Sequence, residues 1–224
     1  VNTPATASFT ANQISNGELA TWSLSGDAFV SKWYDQSGNG NDAVQAATTD
    51  QPKIVSSGSL VSGGLNFDGT DDSLDTTYSA GTTSAQSLFV VFKADVVDFV
   101  FRTPIDSRDA NDDGIGFGFN SSFGFRFHVN TADAFATANT NLELLTGIYG
   151  SSASALYQKG SLADSGAAPA TISVSTSNYL IGNTPVGTGG PFDGQIAEIL
   201  IFPTDQSASR VGIETNINTA YSIY

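Results

Sequence analysis

IGFGFNSSFGFRFHV, residues 115–129, carries the clearest β-hairpin pattern in this sequence. Two strictly alternating segments, 115–119 and 123–129, flank a polar turn at 120–122. Alternation with a period of two is typical of half-buried strands. The aromatic and aliphatic positions are therefore predicted to face a core: Phe117, Phe119, Phe125, Phe127 and Val129. The opposite face carries small and basic residues: Gly116, Gly118, Gly124, Arg126 and His128.

Strand patterns extend along most of the chain on either side of this hairpin. Compact apolar runs at 86–92 (QSLFVVF) and 196–202 (IAEILIF) are typical of buried strands. Weaker patterns occur in five further segments: 28–33, 63–68, 144–149, 153–158 and 179–182. Two stretches rich in Ala, Thr and Ser, 131–141 and 160–178, are predicted to be connectors within one domain. The pattern predicts an all-β protein with a single domain over residues 1–224.

One helix is predicted, at the C-terminal end of the sequence. Ile213, Ile217, Tyr221 and Tyr224 recur at helical spacing and share one face. Asp205 or Ser207 is predicted to cap its N-terminus, because short polar side chains accept the unpaired backbone N–H groups there.

Charge and composition exclude several classes of partner. The chain has 22 acidic and 8 basic residues, which gives a net charge of −14, and the basic residues are scattered singly. Nucleic acid and anionic membranes are therefore not expected partners. No apolar run approaches the ~20 residues of a membrane-spanning helix, so no membrane insertion is expected. Cysteine is absent, which excludes disulfides and cysteine catalysis.

Four segments in order resemble a known family. They are WYDQSGNGNDAVQ (33–45), QPKIV (51–55), LNFDGTDDSL (65–74) and FDGQIAEILIF (192–202). Followed by the final helix, they resemble the concanavalin A-like lectin/glucanase superfamily, with its laminin-G-like jelly roll. The YDQSGNGN segment (34–41) is also similar to one in arabinofuranosidase B catalytic domains. The resemblance implies a two-sheet antiparallel β-sandwich, found in sugar-binding or adhesive modules, several of which bind calcium, and in some glycoside hydrolases and lyases.

An acidic loop is a candidate calcium site. Asp109, Asn111 and Asp113 alternate before Gly114, as in the first half of a calcium-binding loop. Asn120 stands where a bidentate Glu would complete an EF-hand, so we expect a loop between strands that holds Ca²⁺ through Asp106, Asp109, Asn111 and Asp113. An acidic surface loop without an ion is the alternative. Asp71 and Asp72 are interpreted as a solvated turn, with a cation site as the alternative.

The glycine-bearing face of the 115–129 hairpin is the candidate ligand-binding surface. Gly116 and Gly118 beside Arg126 and His128 would form an open backbone platform that a flat ligand can approach. The alternative is that a strongly curved sheet tolerates glycine at these positions.

The acidic residues do not form the pattern of a glycosidase. A hydrolase usually needs two carboxylates about 5–10 Å apart, and no Glu has an acidic residue two positions away. Glu198 lies in an apolar strand and is interpreted as a partly buried sheet residue. A polysaccharide lyase would need a basic cleft, and His128 is the sole histidine. No catalytic residue is assigned.

Three function classes therefore stay open. The first is a non-catalytic carbohydrate-binding or adhesion module of a secreted, cell-surface or phage structural protein, with a glycan or cell-surface polysaccharide as its partner. The second is a self-assembling structural subunit of a surface filament, phage tail or capsid decoration. The third is a glycoside hydrolase or polysaccharide lyase on the same fold. The expected location is extracellular, at the cell surface or on a virion.

Overall fold

The structure is a computed structural model in which nineteen strands and three helices lie within the described residues. The described residues are 5–79, 81–109, 111, 113–130, 132–150, 152–173, 177–185 and 190–224. The helices are α1 (Ala11–Ser15), α2 (Glu18–Trp22) and α3 (Arg210–Tyr221). None of the described helices is long and apolar enough to cross a membrane.

The strands near the N-terminus are short, and the two longest, β9 and β19, have ten residues each. In chain order they are β1 (Ala28–Phe29), β2 (Lys32–Trp33), β3 (Ala43–Val44), β4 (Lys53–Ser56), β5 (Ser59–Leu60), β6 (Leu65–Asp68), β7 (Leu74–Thr76), β8 (Thr82–Thr83), β9 (Ala85–Ala94), β10 (Arg102–Asp106), β11 (Ile115–Asn120), β12 (Gly124–Val129), β13 (Ala132–Ala136), β14 (Leu142–Gly150), β15 (Ala153–Gln158), β16 (Ser161–Ala167), β17 (Ile172–Ser173), β18 (Leu180–Ile181) and β19 (Asp193–Phe202).

Two antiparallel sheets form the predicted sandwich. Sheet A has the order β1-β4-β6-β19-β9-β14-β15-β16, with β5 paired to β4. Sheet B has the order β13-β12-β11-β10-β18-β7-β3-β2, and β17 pairs with β8 separately. The all-β architecture and the C-terminal helix are confirmed. The single-domain interpretation over residues 1–224 stays a prediction.

The core between the sheets is aromatic, as the hairpin pattern predicts. The inward residues of β11 and β12 are all buried: Phe117, Phe119, Phe125, Phe127 and Val129. Phe92 of sheet A contacts Phe119, Phe125 and Phe192, with ring centroids 5.4–6.2 Å apart. The contact with Phe119 is stacked and the other two are edge-to-face, and both arrangements add to the free energy gained by burying the rings.

Helix α3 covers the outer face of sheet A. Ile217 is buried against a cluster that includes Phe89, Val91 and Leu144, and Ile213 and Tyr221 pack beside it. The helix ends at Tyr221, so the prediction that Tyr224 belongs to it is wrong. The predicted N-cap is wrong: the helix begins after Ser209, and the Asp205 carboxylate accepts from the backbone N–H of Ser207 instead. Asp205 therefore closes a local turn that precedes the helix.

Two short helices near the N-terminus were not predicted. In α1, Thr10 and Gln13 form a capping box, and Leu19 of α2 packs against Val55 of sheet A. Each helix has five residues, which is too short for a helical repeat of apolar residues to show in the sequence.

The connector interpretation of 131–141 and 160–178 is wrong in part. Strands β13 and β16 lie within these stretches, and β13 pairs with β12 over five residues. Their sequences, ADAFA and SLADSGA, contain few β-branched or aromatic residues. Pairing with neighbouring strands makes them strands, although their own propensity is weak.

Candidate functional site

The four predicted ligand-binding residues do share the outer face of sheet B. Gly116 lies opposite His128, and Gly118 lies opposite Arg126, in the β11–β12 register. The face is nevertheless covered. A Cβ built on Gly118 would come within 2.3 Å of the Phe101 ring, and one on Gly116 would come within 2.6 Å of the Asp106 carboxylate. The prediction of an open backbone platform is therefore wrong, because neighbouring side chains occupy the space above both glycines.

A polar cluster of Arg126, His128 and Asp133 completes this face. Arg126 Nε donates to Asp133 Oδ1 at 2.6 Å, and His128 Nδ1 lies 2.6 Å from Arg126 Nη2 and 3.0 Å from Asp133 Oδ1. Burial alone would raise the pKa of Asp133, but its hydrogen bonds to His128 and Arg126 lower that pKa overall. Asp133 was not predicted, because only the pairing of β12 with β13 brings it opposite His128.

Phe101 lies between two guanidinium groups. Its ring centroid is 5.7 Å from Arg108 Cζ and 5.5 Å from Arg126 Cζ. Cation–π contacts with both arginines hold the ring over Gly118. Arg126 is the residue of this predicted set that reaches solvent, since His128 and both glycines are buried. Ligand contact by these four residues stays a prediction.

The predicted calcium ligands do not converge as one set. The Asp106 carboxylate is buried and accepts from Arg108 Nε at 2.6 Å and from Thr184 Oγ1 at 2.9 Å. Those partners occupy Asp106, so it does not fit a calcium shell. Asp109 Oδ1 accepts the backbone N–H groups of Asn111 and Asp113 at 2.8 and 3.2 Å. Calcium at Asp109, Asn111 and Asp113 stays a prediction.

A different acidic turn has carboxylates close enough for a cation. Oxygens of Asp68, Asp71 and Asp72 lie within 4.8 Å of one another, the single such group of three among the described residues. Asp72 is buried and accepts the backbone N–H of Asp68 at 2.9 Å. Burial, with the neighbouring charges of Asp68 and Asp71, raises the pKa of Asp72 to about 6. Asp68 was not among the residues weighed from the sequence.

A groove opens at the edge where β13 meets β16, and we call it the edge groove. Its volume is about 510 Å³, and its described lining residues are Phe123, Phe135, Ala136, Thr137, Gln158, Ser161, Leu162 and Ala163. Phe123 and Phe135 are 62% and 37% exposed, and their ring centroids are 6.4 Å apart at 33°. The groove was not predicted, because both strands that form its walls were interpreted as connectors.

Buried polar groups fix the inner end of the edge groove. Gln158 Nε2 donates to the Thr137 carbonyl at 3.0 Å and to Glu143 Oε2 at 3.1 Å. Glu143 is fully buried and also accepts from Asn139 and Lys159, at 2.8 and 3.1 Å. Both N–H groups of the Gln158 amide are thereby used, so its carbonyl oxygen is the atom left to meet a ligand.

Glu198 is a structural partner of the C-terminal helix. Burial raises the pKa of Glu198, and a hydrogen bond from Tyr221 of α3 partly offsets that rise. Burial and the Glu198 carboxyl together raise the pKa of Tyr221 to about 12. The interpretation of Glu198 as a partly buried sheet residue is confirmed.

Comparison with known proteins identifies the fold. A family model described as the concanavalin A-like lectin/glucanases superfamily matches residues 68–212. Trypanosoma rangeli sialidase in complex with 2,3-difluorosialic acid is 13% identical, with a TM-score of 0.59 over 84% of this chain and 31% of that chain. The same sialidase in complex with sialic acid is 14% identical, with a TM-score of 0.57 and the same coverage. The chain thus spans about a third of the length of these sialidases.

A smaller protein is also similar over most of its length. Ruminococcus gnavus IT-sialidase CBM40 bound to α2,3-sialyllactose is 12% identical, with a TM-score of 0.49 over 84% of this chain and 96% of that one. No curated protein matches the sequence. At these identities the likeness to the solved structures shows the fold alone.

Proposed function

Because the chain belongs to the concanavalin A-like lectin/glucanase superfamily, we propose that it is a non-catalytic carbohydrate-binding module and that the edge groove binds the glycan. The observation that carries the proposal is the lining of the groove, in which two exposed phenylalanine rings stand beside a fixed polar floor.

The size and shape of the edge groove suit a sugar. Its volume of about 510 Å³ falls within the ~300–1,000 Å³ typical of small-molecule sites. The exposed rings of Phe123 and Phe135 offer apolar faces on which the C–H groups of a pyranose can pack. Hydroxyl groups at the edge of that sugar can then bond to Gln158 Oε1 and to the hydroxyls of Thr137 and Ser161.

A longer glycan would leave the groove toward the outer face of sheet B. Phe135 pairs directly with Arg126 in the β12–β13 register, so a chain that crosses Phe135 reaches Arg126 next. His128 Nδ1 contacts Arg126 Nη2 at 2.6 Å, and Gly118 and Gly116 lie opposite Arg126 and His128 in the neighbouring strand. Of the four predicted residues, Arg126 then contacts the glycan, and the other three support its position.

The positions of the carboxylates support a role without catalysis. No acidic side chain is among the described residues that line the groove. Two glutamates have structural partners, since the buried Glu143 is paired with Lys159 and the partly buried Glu198 bonds to Tyr221. Placement of the module outside the cell, at the cell surface or on a virion stays a prediction.

Glycan binding with matched phenylalanine variants tests this proposal. We expect the protein to bind some of the oligosaccharides on an array of plant, bacterial and animal glycans. Titration calorimetry with a bound glycan should show at least tenfold weaker binding for the Phe135→Ala variant. Phe99→Ala is the matched control, because Phe99 is 86% exposed and outside the groove. An array without bound members, or equal affinities for the Phe135 and Phe99 variants, would contradict the proposal.

A further inference from the structure

We infer that the glycan of the edge groove is uncharged and that the protein discriminates against sialylated and other anionic sugars; this rests on the proposed function. The inference concerns the class of ligand, and it follows from how the basic residues of the chain are used.

Every basic side chain in the protein is already paired. All eight Lys and Arg residues lie in the described part of the chain, and each has a carboxylate partner. The pairs are Lys32–Asp42, Lys53–Asp27, Lys93–Asp95, Arg102–Asp98, Arg108–Asp106, Arg126–Asp133, Lys159–Glu143 and Arg210–Glu214. Seven of these contacts measure 2.6–3.3 Å. An incoming carboxylate would therefore have to share its cation with a carboxylate of the protein.

Two cations that neighbour groove residues are bound to carboxylates that are buried or half-buried. Lys159 follows the groove residue Gln158 and binds the fully buried Glu143. Arg126 neighbours Phe135 and is bound to Asp133, with His128 at its other edge. Drawing either cation toward a ligand would leave a buried or half-buried carboxylate without its partner, which is strongly unfavourable.

The net charge of the chain is −14. One carboxylate also lies beside the edge groove, outside its described lining. Asp164 of β16 accepts the backbone N–H of Phe135 at 3.0 Å and so bridges the two strands that frame the groove. This carboxylate repels an anionic sugar, whereas it can accept a hydrogen bond from the hydroxyl of a neutral one. Repulsion of anionic sugars is enough to make the groove selective for neutral ones, without an additional attractive contact to the neutral sugar.

A paired array tests the inference. The probes are neutral galactose-terminated oligosaccharides, each printed beside its α2,3- and α2,6-sialylated form, together with neutral glucans, mannans and arabinans. We expect neutral members to bind and sialylated or uronic-acid members to bind at least tenfold more weakly. The affinity of the best neutral ligand should change less than twofold between 20 and 300 mM NaCl, because no charge is neutralised on binding.

The outcomes separate the inference from the proposed function. Sialylated members that bind within tenfold of the neutral ones, with Phe135→Ala removing that binding, would overturn the neutral-ligand inference and leave the carbohydrate-binding proposal standing. No binding to any member would overturn both.

A gain-of-function variant adds a second readout: Ser161→Arg places an unpaired cation at the groove, and we expect it to raise the affinity for sialylated members relative to neutral ones. No change in that ratio would count against repulsion as the cause of selectivity.

Discussion

Gly118 lies directly beneath the ring of Phe101, so close that a single methyl group on its Cα would come within 2.3 Å of the ring. We therefore expect Gly118→Ala to displace Phe101 and to lower the free energy of unfolding by about 1–3 kcal/mol, the usual cost of overpacking. Urea denaturation measures the change.

Two further variants test the cause of that loss. Gly166→Ala is the matched control, because a Cβ at Gly166 of β16 meets no atom within 4 Å, and we expect a change within about 0.5 kcal/mol. In the Phe101→Ala background, Gly118→Ala should cost much less than it does alone, since the obstructing ring is gone. An additive double variant would refute the steric explanation.

Asp72 makes folding stability dependent on pH. Its pKa is about 6 in the folded protein and near 4 in an unfolded chain. Between these values the folded state holds a proton that the unfolded state has released, so stability falls as pH rises toward 6. The side chain of the Asp72→Asn variant cannot ionise. We expect the free energy of unfolding of this variant to exceed that of the wild type by about 1–3 kcal/mol at pH 7.5 and to equal it at pH 3.5.

The control for this effect is a neighbouring acidic residue. Asp75 is exposed and does not contribute to the pKa shift of Asp72, and Asp75→Asn should change stability by less than about 0.5 kcal/mol at either pH. Thermal melts at pH 3.5, 5.5 and 7.5 measure all three proteins. An Asp72→Asn protein less stable than the wild type at pH 7.5 would show that the ionised carboxylate is stabilising.

The calcium prediction separates into two parts. Calcium that binds the folded state at 100 times its dissociation constant adds about 2.7 kcal/mol of stability. We expect Asp109→Ala and Asp113→Ala to remove that gain and Asp71→Ala to keep it. Asp106→Asn should destabilise the protein equally in calcium and in chelator, because it breaks the buried pair with Arg108. Identical melting temperatures for the wild type in calcium and in chelator would disprove the site.

The Lys159–Glu143 ion pair is expected to contribute more to folding stability than an exposed ion pair does. Lys159→Gln leaves the fully buried Glu143 without its cation, and we expect a loss of about 1–3 kcal/mol, below the 3–5 kcal/mol of fully buried pairs because the Lys159 side chain is partly exposed. Lys93→Gln changes the same residue type at an exposed pair and should cost less than about 0.5 kcal/mol. Equal losses in the two variants would contradict this difference, and urea denaturation provides the comparison.

The fold was predictable where side chains alternate strictly. Phe117, Phe119, Phe125 and Phe127 are buried as predicted, because a period of two ties each residue to one face of a strand. The same logic fails for β13 and β16, whose Ala and Ser residues have no strong preference for a strand. Their place in the sheets comes from pairing with β12 and β15, which is a tertiary effect.

The candidate site was predictable only in part for the same reason. Arg126 and His128 were identified on one strand, but Asp133 becomes their partner only through the β12–β13 register. Phe101 covers Gly118 from an irregular segment that precedes β10, and no periodic pattern in the sequence indicates where such a ring lies. Asp106 matched a calcium-loop motif, yet a buried arginine two residues later binds it instead.

The position of β19 in sheet A has a consequence for biosynthesis. This strand lies between β6 and β9 and pairs with both, so the middle of the sheet is filled by residues 193–202. The ribosome adds about 5–20 residues per second, so β19 is synthesised several seconds after β9. Until then the apolar edges of β6 and β9 are open to other chains, and non-local pairing of this kind folds slowly. Nascent chains stalled before residue 193 should therefore recruit chaperones or aggregate.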